Sequence, residues 1–102
     1  MSIMMGLRVA VDPNRFEEAV NSDRDRIMEI SQAAKDAGAT HHAFYANDDG
    51  GEILVVDEWP TKEAFFEFFE NNTRVPELMS DAGVSDRPTP VFWRELDTPD
   101  KF

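Results

Sequence analysis

The chain has 102 residues, 41% of them hydrophobic, and its 21 acidic and 10 basic side chains give a formal net charge of −11. This length fits one domain over residues 1–102, and the acidic balance disfavours nucleic acid or an anionic membrane as a partner. The chain has no cysteine and no long apolar N-terminal run. Disulfides, thiolate metal sites, a signal peptide and a transmembrane helix are therefore not expected, and the cytoplasm is the expected location.

The first half of the chain predicts a strand, one long helix and a second strand. Apolar residues alternate over residues 4–11, as in a strand. Asn14 and Glu17 have the spacing of a capping box, and apolar residues then recur at near-helical spacing as far as a C-cap at Gly38. The next strand is expected at His41–Ala46, before a turn over residues 47–51.

The strand after that turn is the one around which the rest of the chain is organised. Residues 53–56 are four consecutive aliphatic side chains, which is typical of a central strand buried on both faces. Asp57, Glu58 and Trp59 follow, and Pro60 ends the strand because it lacks a backbone donor. Carboxylates and a tryptophan at the exit of a central strand make this the expected place of a site.

The last part of the chain predicts a helix capped by Thr61, a short helix over residues 77–82 and a final strand over residues 89–96. The tail from about residue 97 is polar and expected to be loose. The longer helix carries more aromatic residues than one core-facing stripe needs, so Phe66 or Phe69 could face a pocket or a partner subunit.

The order of these elements predicts the fold class. It is β-α-β-β-α-β with one extra short helix, an α+β arrangement of the ferredoxin-like type. Its four-stranded antiparallel sheet is expected in the spatial order 4-1-3-2, with the helices on one face. The other face is then bare, and a second copy of the chain is the usual cover. We therefore expect a homodimer, built as a dimeric α/β barrel.

Alternation along the strands assigns the candidate site residues to faces. Asp57 and Trp59 share a face, where Asp57 is either a proton acceptor or the partner of a strand arginine such as Arg94. Trp59 either lines a pocket or only fills the core. Glu58 points to the opposite face, where Arg8 on the neighbouring strand is its expected partner.

The two histidines are adjacent in a strand, so their rings leave opposite faces and cannot share a metal ion. No tightly bound metal or haem is expected. His42 is a candidate pocket base, although a solvent-facing or hydrogen-bonded structural histidine is the commoner case. Tyr45, on the face of His41, is a candidate ligand contact.

The strand Ile53-Leu54-Val55-Val56-Asp57-Glu58-Trp59, together with the helix opening Thr61-Lys62-Glu63-Ala64-Phe65, resembles the antibiotic biosynthesis monooxygenase family of dimeric α/β barrels. The resemblance covers residues 7–96. The resemblance implies a pocket between the sheet and the helices, with Trp59 in its wall. It also matches Leu7 to a position of the first strand that is Asn in haem-degrading relatives. Those relatives also carry a histidine on the helix after the tryptophan, and this chain has none between Pro60 and Gly83, so haem degradation is disfavoured.

Two functions remain open from the sequence. The first, which the resemblance implies, is a cofactor-independent monooxygenase or oxidase of a small aromatic or quinol-like substrate. Asp57 or His42 would be its base, and Trp59, Leu7 and the phenylalanines its pocket wall. The second is a non-catalytic dimeric module that binds a small apolar molecule or is purely structural.

Overall fold

The computed structural model describes residues 2–102 and consists of one sheet and a set of α-helices. In chain order the elements are β1 (Ile3–Ala10), α1 (Pro13–Ser22), α2 (Arg24–Asp36), β2 (His41–Ala46), β3 (Glu52–Trp59), α3 (Lys62–Asn71), α4 (Arg74–Asp81) and β4 (Val91–Trp93). Within these residues no helix is both long enough and apolar enough to cross a bilayer.

The sheet has four antiparallel strands in the order β2-β3-β1-β4, which confirms the predicted ferredoxin-like α+β topology. β3 is central, between β1 and β2. Met5 of β1 lies opposite Asp57 of β3, and Leu7 lies opposite Val55. Because directly opposite residues point to the same face, these four side chains share one side of the sheet.

That side is the core face, and the helices cover it. The inward residues of β1 and β3 are between 1% and 5% exposed, namely Met5, Leu7, Val9, Ile53 and Val55. Phe16 of α1, Phe65 of α3 and Leu78 of α4 are buried with them. Each such side chain contributes about 1.5–3 kcal/mol by leaving water, so this layer supplies most of the fold's stabilisation.

The opposite face of the sheet is bare in the single chain. Its exposed apolar residues come from three different strands: Tyr45 is 52% exposed, Leu54 38%, Val91 49% and Trp93 62%. We call these four residues the bare-face patch. The prediction that residues 53–56 are buried on both faces is therefore wrong for the single chain, although the central position of the strand is confirmed.

The long helix predicted from Asn14 is instead two helices. The Asp12 side chain accepts a hydrogen bond from the Arg15 backbone N–H and caps α1, so Asn14 is not the cap. Asp23 caps α2 in the same way through the Arg26 backbone N–H. A short carboxylate that bonds to nearby backbone favours helix starts over helix interiors, which explains the break at Asp23.

The last two elements also differ in extent from the prediction. α4 begins at Arg74 rather than at residue 77, and Pro76 lies in its first turn, where a missing N–H costs no helical hydrogen bond. β4 is limited to Val91–Trp93, since only these residues pair with β1. By contrast, Thr61 caps α3 through the Ala64 N–H as predicted.

The predicted pair between Arg8 and Glu58 is not formed. The antiparallel register puts Met4, not Arg8, opposite Glu58. Arg8 instead binds Glu52, with its Nη2 atom 3.0 Å from a carboxylate oxygen. Glu58 accepts a 2.6 Å hydrogen bond from the Thr40 hydroxyl.

Candidate active site

A small apolar cavity of about 70 Å³ lies between the core face of the sheet and helices α2, α3 and α4. Most of its wall is aliphatic or aromatic, and the polar members of the wall are Ser31, His42 and Asp57. The complete wall is Met5, Leu7, Ile27, Ile30, Ser31, Ala34, His42, Phe44, Val55, Asp57, Phe65, Phe68, Phe69, Val75, Leu78 and Met79.

His42 and Asp57 face each other across the hairpin formed by β2 and β3. They are directly paired in the register, and His42 Nδ1 lies 2.6 Å from Asp57 Oδ1. The Asp57 side chain is 10% exposed and that of His42 37% exposed. The partner of Asp57 is therefore His42, and the suggested ion pair with Arg94 is wrong. A carboxylate that is buried in this way is stabilised by its hydrogen bonds.

Trp59 completes the set of groups around Asp57. Its indole Nε1–H donates a 3.2 Å hydrogen bond to Asp57 Oδ2. Trp59 is fully buried, packs against the rings of Phe65 and Phe68, and is not part of the cavity wall. In this structure Trp59 therefore packs in the core, and its indole N–H also holds the Asp57 carboxylate in place.

This arrangement sets the chemistry available to His42. An ionised Asp57 can only accept, so the proton between the two groups is carried by Nδ1, and Nε2 is left as the basic ring nitrogen. A histidine held in this tautomer by a carboxylate is the usual form of a general base. The two candidate bases of the sequence are thus in direct contact with each other.

The remaining predicted ligand contacts separate into three groups. Leu7 and Phe69 lie in the cavity wall. Phe66 lies outside it and packs against Phe65 and Phe92 with ring centroids 5.5 Å apart. Tyr45 lies opposite Leu54 on the bare face, so its prediction as a contact in this cavity is wrong. Side-chain alternation along β2 puts Tyr45 and His42 on different faces.

Ion pairs outside the cavity join helices α2 and α4, which both contribute to its wall. Arg26 of α2 is 8% exposed, and its Nη1 lies 2.7 Å from Asp81 and 3.4 Å from Glu77, both on α4. The hydrogen bond to Asp81 raises the pKa of the Arg26 guanidinium above its ordinary value, against the opposing effect of burial. Arg74 of α4 pairs with Glu29 of α2 at 3.1 Å. These contacts fix the distance between α2 and α4.

A larger groove of about 500 Å³ adjoins the cavity on the side of α4 and the loop that follows it. Phe69, Val75 and Met79 line both spaces and so form the partition between them. The groove wall is otherwise mixed, with polar residues between Glu70 and Arg87. Nowhere in residues 2–102, the cavity and the groove included, are three histidine or acidic side chains grouped closely enough to hold a metal ion.

No protein-family model matches the chain, and neither does any curated protein. SnoaB, a cofactor-independent oxygenase from Streptomyces nogalater, aligns over 98% of each chain with a TM-score of 0.65 at 12% identity. The ActVA-Orf6 monooxygenase of Streptomyces coelicolor, solved with Nanaomycin D, aligns over 97% of this chain and 92% of its own with a TM-score of 0.63 at 19% identity. An antibiotic biosynthesis monooxygenase from Bordetella bronchiseptica aligns over 93% of this chain and 97% of its own with a TM-score of 0.65 at 18% identity. The chain therefore has the fold of these oxygenases, which confirms the predicted structural resemblance. At these identities the likeness establishes the fold alone.

Proposed function

We propose that this protein is a cofactor-independent oxygenase of a small hydroxylated aromatic molecule, a phenol or quinol, bound in the cavity beside His42. The observation that carries the proposal is the His42–Asp57 hydrogen bond in the wall of an apolar cavity. The fold likeness to SnoaB and to the ActVA-Orf6 monooxygenase supports the reaction class.

The reaction begins with a proton transfer from the ring hydroxyl to His42 Nε2. The resulting anion is electron-rich and reduces dioxygen, and a bond forms between a ring carbon and one oxygen atom. His42 returns its proton to the peroxide. The O–O bond then breaks as the ring carbon loses its C–H proton, and the distal oxygen leaves as hydroxide, which takes up that proton and becomes water. One phenol and one dioxygen thus give one quinone and one water, so the substrate supplies every electron.

In this mechanism Asp57 and Trp59 position the base and do not touch the substrate. Asp57 holds the His42 ring and its tautomer, and it stabilises the imidazolium after proton transfer. The Trp59 indole in turn fixes the second oxygen of Asp57. The apolar wall excludes water and strengthens these electrostatic interactions.

The size of the cavity requires movement of its wall. An apolar cavity that admits benzene has a volume of about 150 Å³, and this one holds about 70 Å³. The partition of Phe69, Val75 and Met79 is the part that can yield, since methionine is the most flexible of the apolar side chains. Displacement of Met79 would join the cavity to the 500 Å³ groove, so we infer that the substrate enters from that side.

The same small volume favours a second candidate function. A cavity below the usual size of a ligand site, together with a sealed Trp59, fits a dimeric module that binds a small apolar molecule without turnover or is purely structural. In that case His42 serves only as the hydrogen-bond partner of the buried Asp57 carboxylate.

We further propose that a second copy of the chain covers the bare-face patch. Four large apolar side chains on one open sheet face form a patch that a lone soluble chain rarely leaves exposed. Face-to-face pairing of two sheets would form the dimeric α/β barrel, with an interface of about 2,000 Å² or more. Light scattering should then give twice the chain mass at micromolar concentration, and a stable monomer would exclude this assembly.

Oxygen consumption tests the proposed reaction. A panel of naphthols and hydroquinones is incubated with the protein under labelled dioxygen, and the autoxidation rate without protein is subtracted. We expect one labelled oxygen in the quinone product, and loss of the enzymatic rate by a factor of about 100 or more in His42→Gln. His41→Gln, with the neighbouring ring on the other face, should keep the rate. Equal rates in wild type and His42→Gln would refute the mechanism.

A further inference from the structure

Ser31 is a polar residue at a position where the fold calls for an apolar one. Ile27, Ile30, Ser31 and Ala34 are spaced i, i+3, i+4 and i+7 along α2, so they form one stripe of the helix, and all four lie in the cavity wall. Ser31 thus adds a hydroxyl to the wall that otherwise offers only His42 and Asp57 as polar groups.

The Ser31 hydroxyl makes no hydrogen bond to any of residues 2–102. A helical serine commonly satisfies itself by donating to a backbone carbonyl one turn earlier, as Ser22 does to the Ala19 oxygen at 2.9 Å. Ser31 does not. Asp57 is also unavailable to a ligand, because its two oxygens are bonded to His42 and Trp59. Among the residues of the wall, the polar side-chain atoms that bond to no other group of residues 2–102 are therefore the Ser31 hydroxyl and His42 Nε2.

We propose that Ser31 Oγ and His42 Nε2 form a two-point site for a single ligand oxygen, the hydroxyl of a phenol or quinol. The ligand class rests on the proposed function. His42 accepts the proton of the ring hydroxyl, and Ser31 donates its own hydrogen to the same oxygen. As negative charge develops on that oxygen, the Ser31 hydrogen bond becomes charge-assisted and strengthens in the apolar surroundings.

This site selects for oxygen on the ring. A ligand with a methyl group in place of the hydroxyl fits the same apolar wall, yet it leaves both Ser31 and His42 without a partner and gains nothing from either. Ser31 acts on the anionic form in particular, so it should lower the pKa of a bound phenol. A residue that only fills space would have no such effect.

The test uses 4-nitrophenol and 4-nitrotoluene, a pair that differs in the hydroxyl alone. The absorbance of the phenolate gives the apparent pKa of the bound 4-nitrophenol, and calorimetry gives the affinity of both compounds. In Ser31→Ala we expect that bound pKa to rise by about one unit or more, which is a tenfold or larger loss of phenolate affinity. The affinity for 4-nitrotoluene should not fall. Alanine favours helix more than serine does, so this variant should fold.

Ser31→Thr keeps the hydroxyl, so the pKa of the bound phenol should stay lowered in this variant. The matched control Ser22→Ala removes a hydroxyl outside the cavity and should behave as the wild type. The proposal is overturned if Ser31→Ala leaves the bound pKa unchanged, if it weakens both compounds equally, or if the wild type does not bind 4-nitrophenol. The proposed function is judged separately. If Ser31→Ala raises the bound pKa but the wild type consumes no oxygen, only the oxygenase proposal is refuted. If oxygen consumption depends on His42 but Ser31→Ala leaves the bound pKa unchanged, only the two-point site is refuted.

Discussion

Replacement of Asp57 by asparagine should reverse the tautomer of His42 without changing the shape of the site. The amide has one oxygen and one NH₂ group. If its oxygen keeps the hydrogen bond from Trp59, its NH₂ group faces His42 Nδ1, which must then give up its proton and accept. The proton moves to Nε2, and the ring nitrogen that served as base is no longer free.

The cost in stability follows from the two hydrogen bonds. Both are charge-assisted in the wild type, worth about 1.5–3 kcal/mol each, and become neutral bonds worth about 0.5–1.5 kcal/mol each. The loss is about 1 kcal/mol per bond, or about 2 kcal/mol in total. For a domain of this size 1 kcal/mol corresponds to about 4–8 °C, so we expect the melting temperature to fall by about 8–16 °C.

Nitrogen NMR of the imidazoles measures the tautomer directly, and the chain has only two histidines to assign. We expect the protonated nitrogen of His42 to be Nδ1 in the wild type and Nε2 in Asp57→Asn. Glu58→Gln is the matched control, because it neutralises the next carboxylate on the same strand, which binds Thr40 on the other face. Its His42 signals should equal those of the wild type. An unchanged tautomer in Asp57→Asn would refute the proposed role of Asp57.

Three further predictions concern the rest of the molecule. If two copies pair through the bare-face patch as proposed, Leu54→Lys puts a charge in the middle of that interface and should give monomers in light scattering. A dimer that persists in this variant would mean that the interface lies elsewhere. Arg26→Met should lower the urea midpoint more than Arg74→Met does, because the Arg26 side chain is 9% exposed and that of Arg74 is 45% exposed. Equal midpoints in the two variants would show that the buried ion pair adds no stability beyond that of the exposed one. Hydrogen bonds from Thr40 and Ser2 lower the pKa of Glu58 below its ordinary value of 4.5. These bonds therefore add stability above pH 4.5, and that stability is lost as the pH falls through the lowered pKa of the folded state. The urea curves of wild type and Glu58→Gln should therefore converge in acid, and a difference that persists at low pH would contradict this assignment.

The fold could be predicted from the sequence because it depends on local signals. Hydrophobic alternation, the run at residues 53–56 and the cap at Thr61 are each readable within a few residues. The break at Asp23 was missed because a polar stretch inside a helical pattern is compatible with both one helix and two. The register of β1 against β3, which separates Arg8 from Glu58, follows from a long connection and cannot be deduced from spacing.

Some residue types of the candidate site could be predicted from the sequence, but the contact between them could not. Asp57 and His42 were both candidates for the base, yet their direct contact depends on the register of the β2–β3 hairpin, which the turn length could have suggested. Ser31 carried a signal too, as a polar residue in the apolar stripe of α2. Arg26 carried none, since its partners on α4 lie 51 and 55 residues further along the chain.

The most direct test of the central claim is the location of a bound hydroxylated aromatic molecule. Intermolecular nuclear Overhauser contacts between 1-naphthol and the methyl groups of the protein distinguish its two apolar surfaces. We predict contacts from the naphthol ring to Leu7, Ile30 and Val75, which line the cavity beside His42. Contacts confined to Leu54 and Val91, on the bare face of the sheet, would contradict the account.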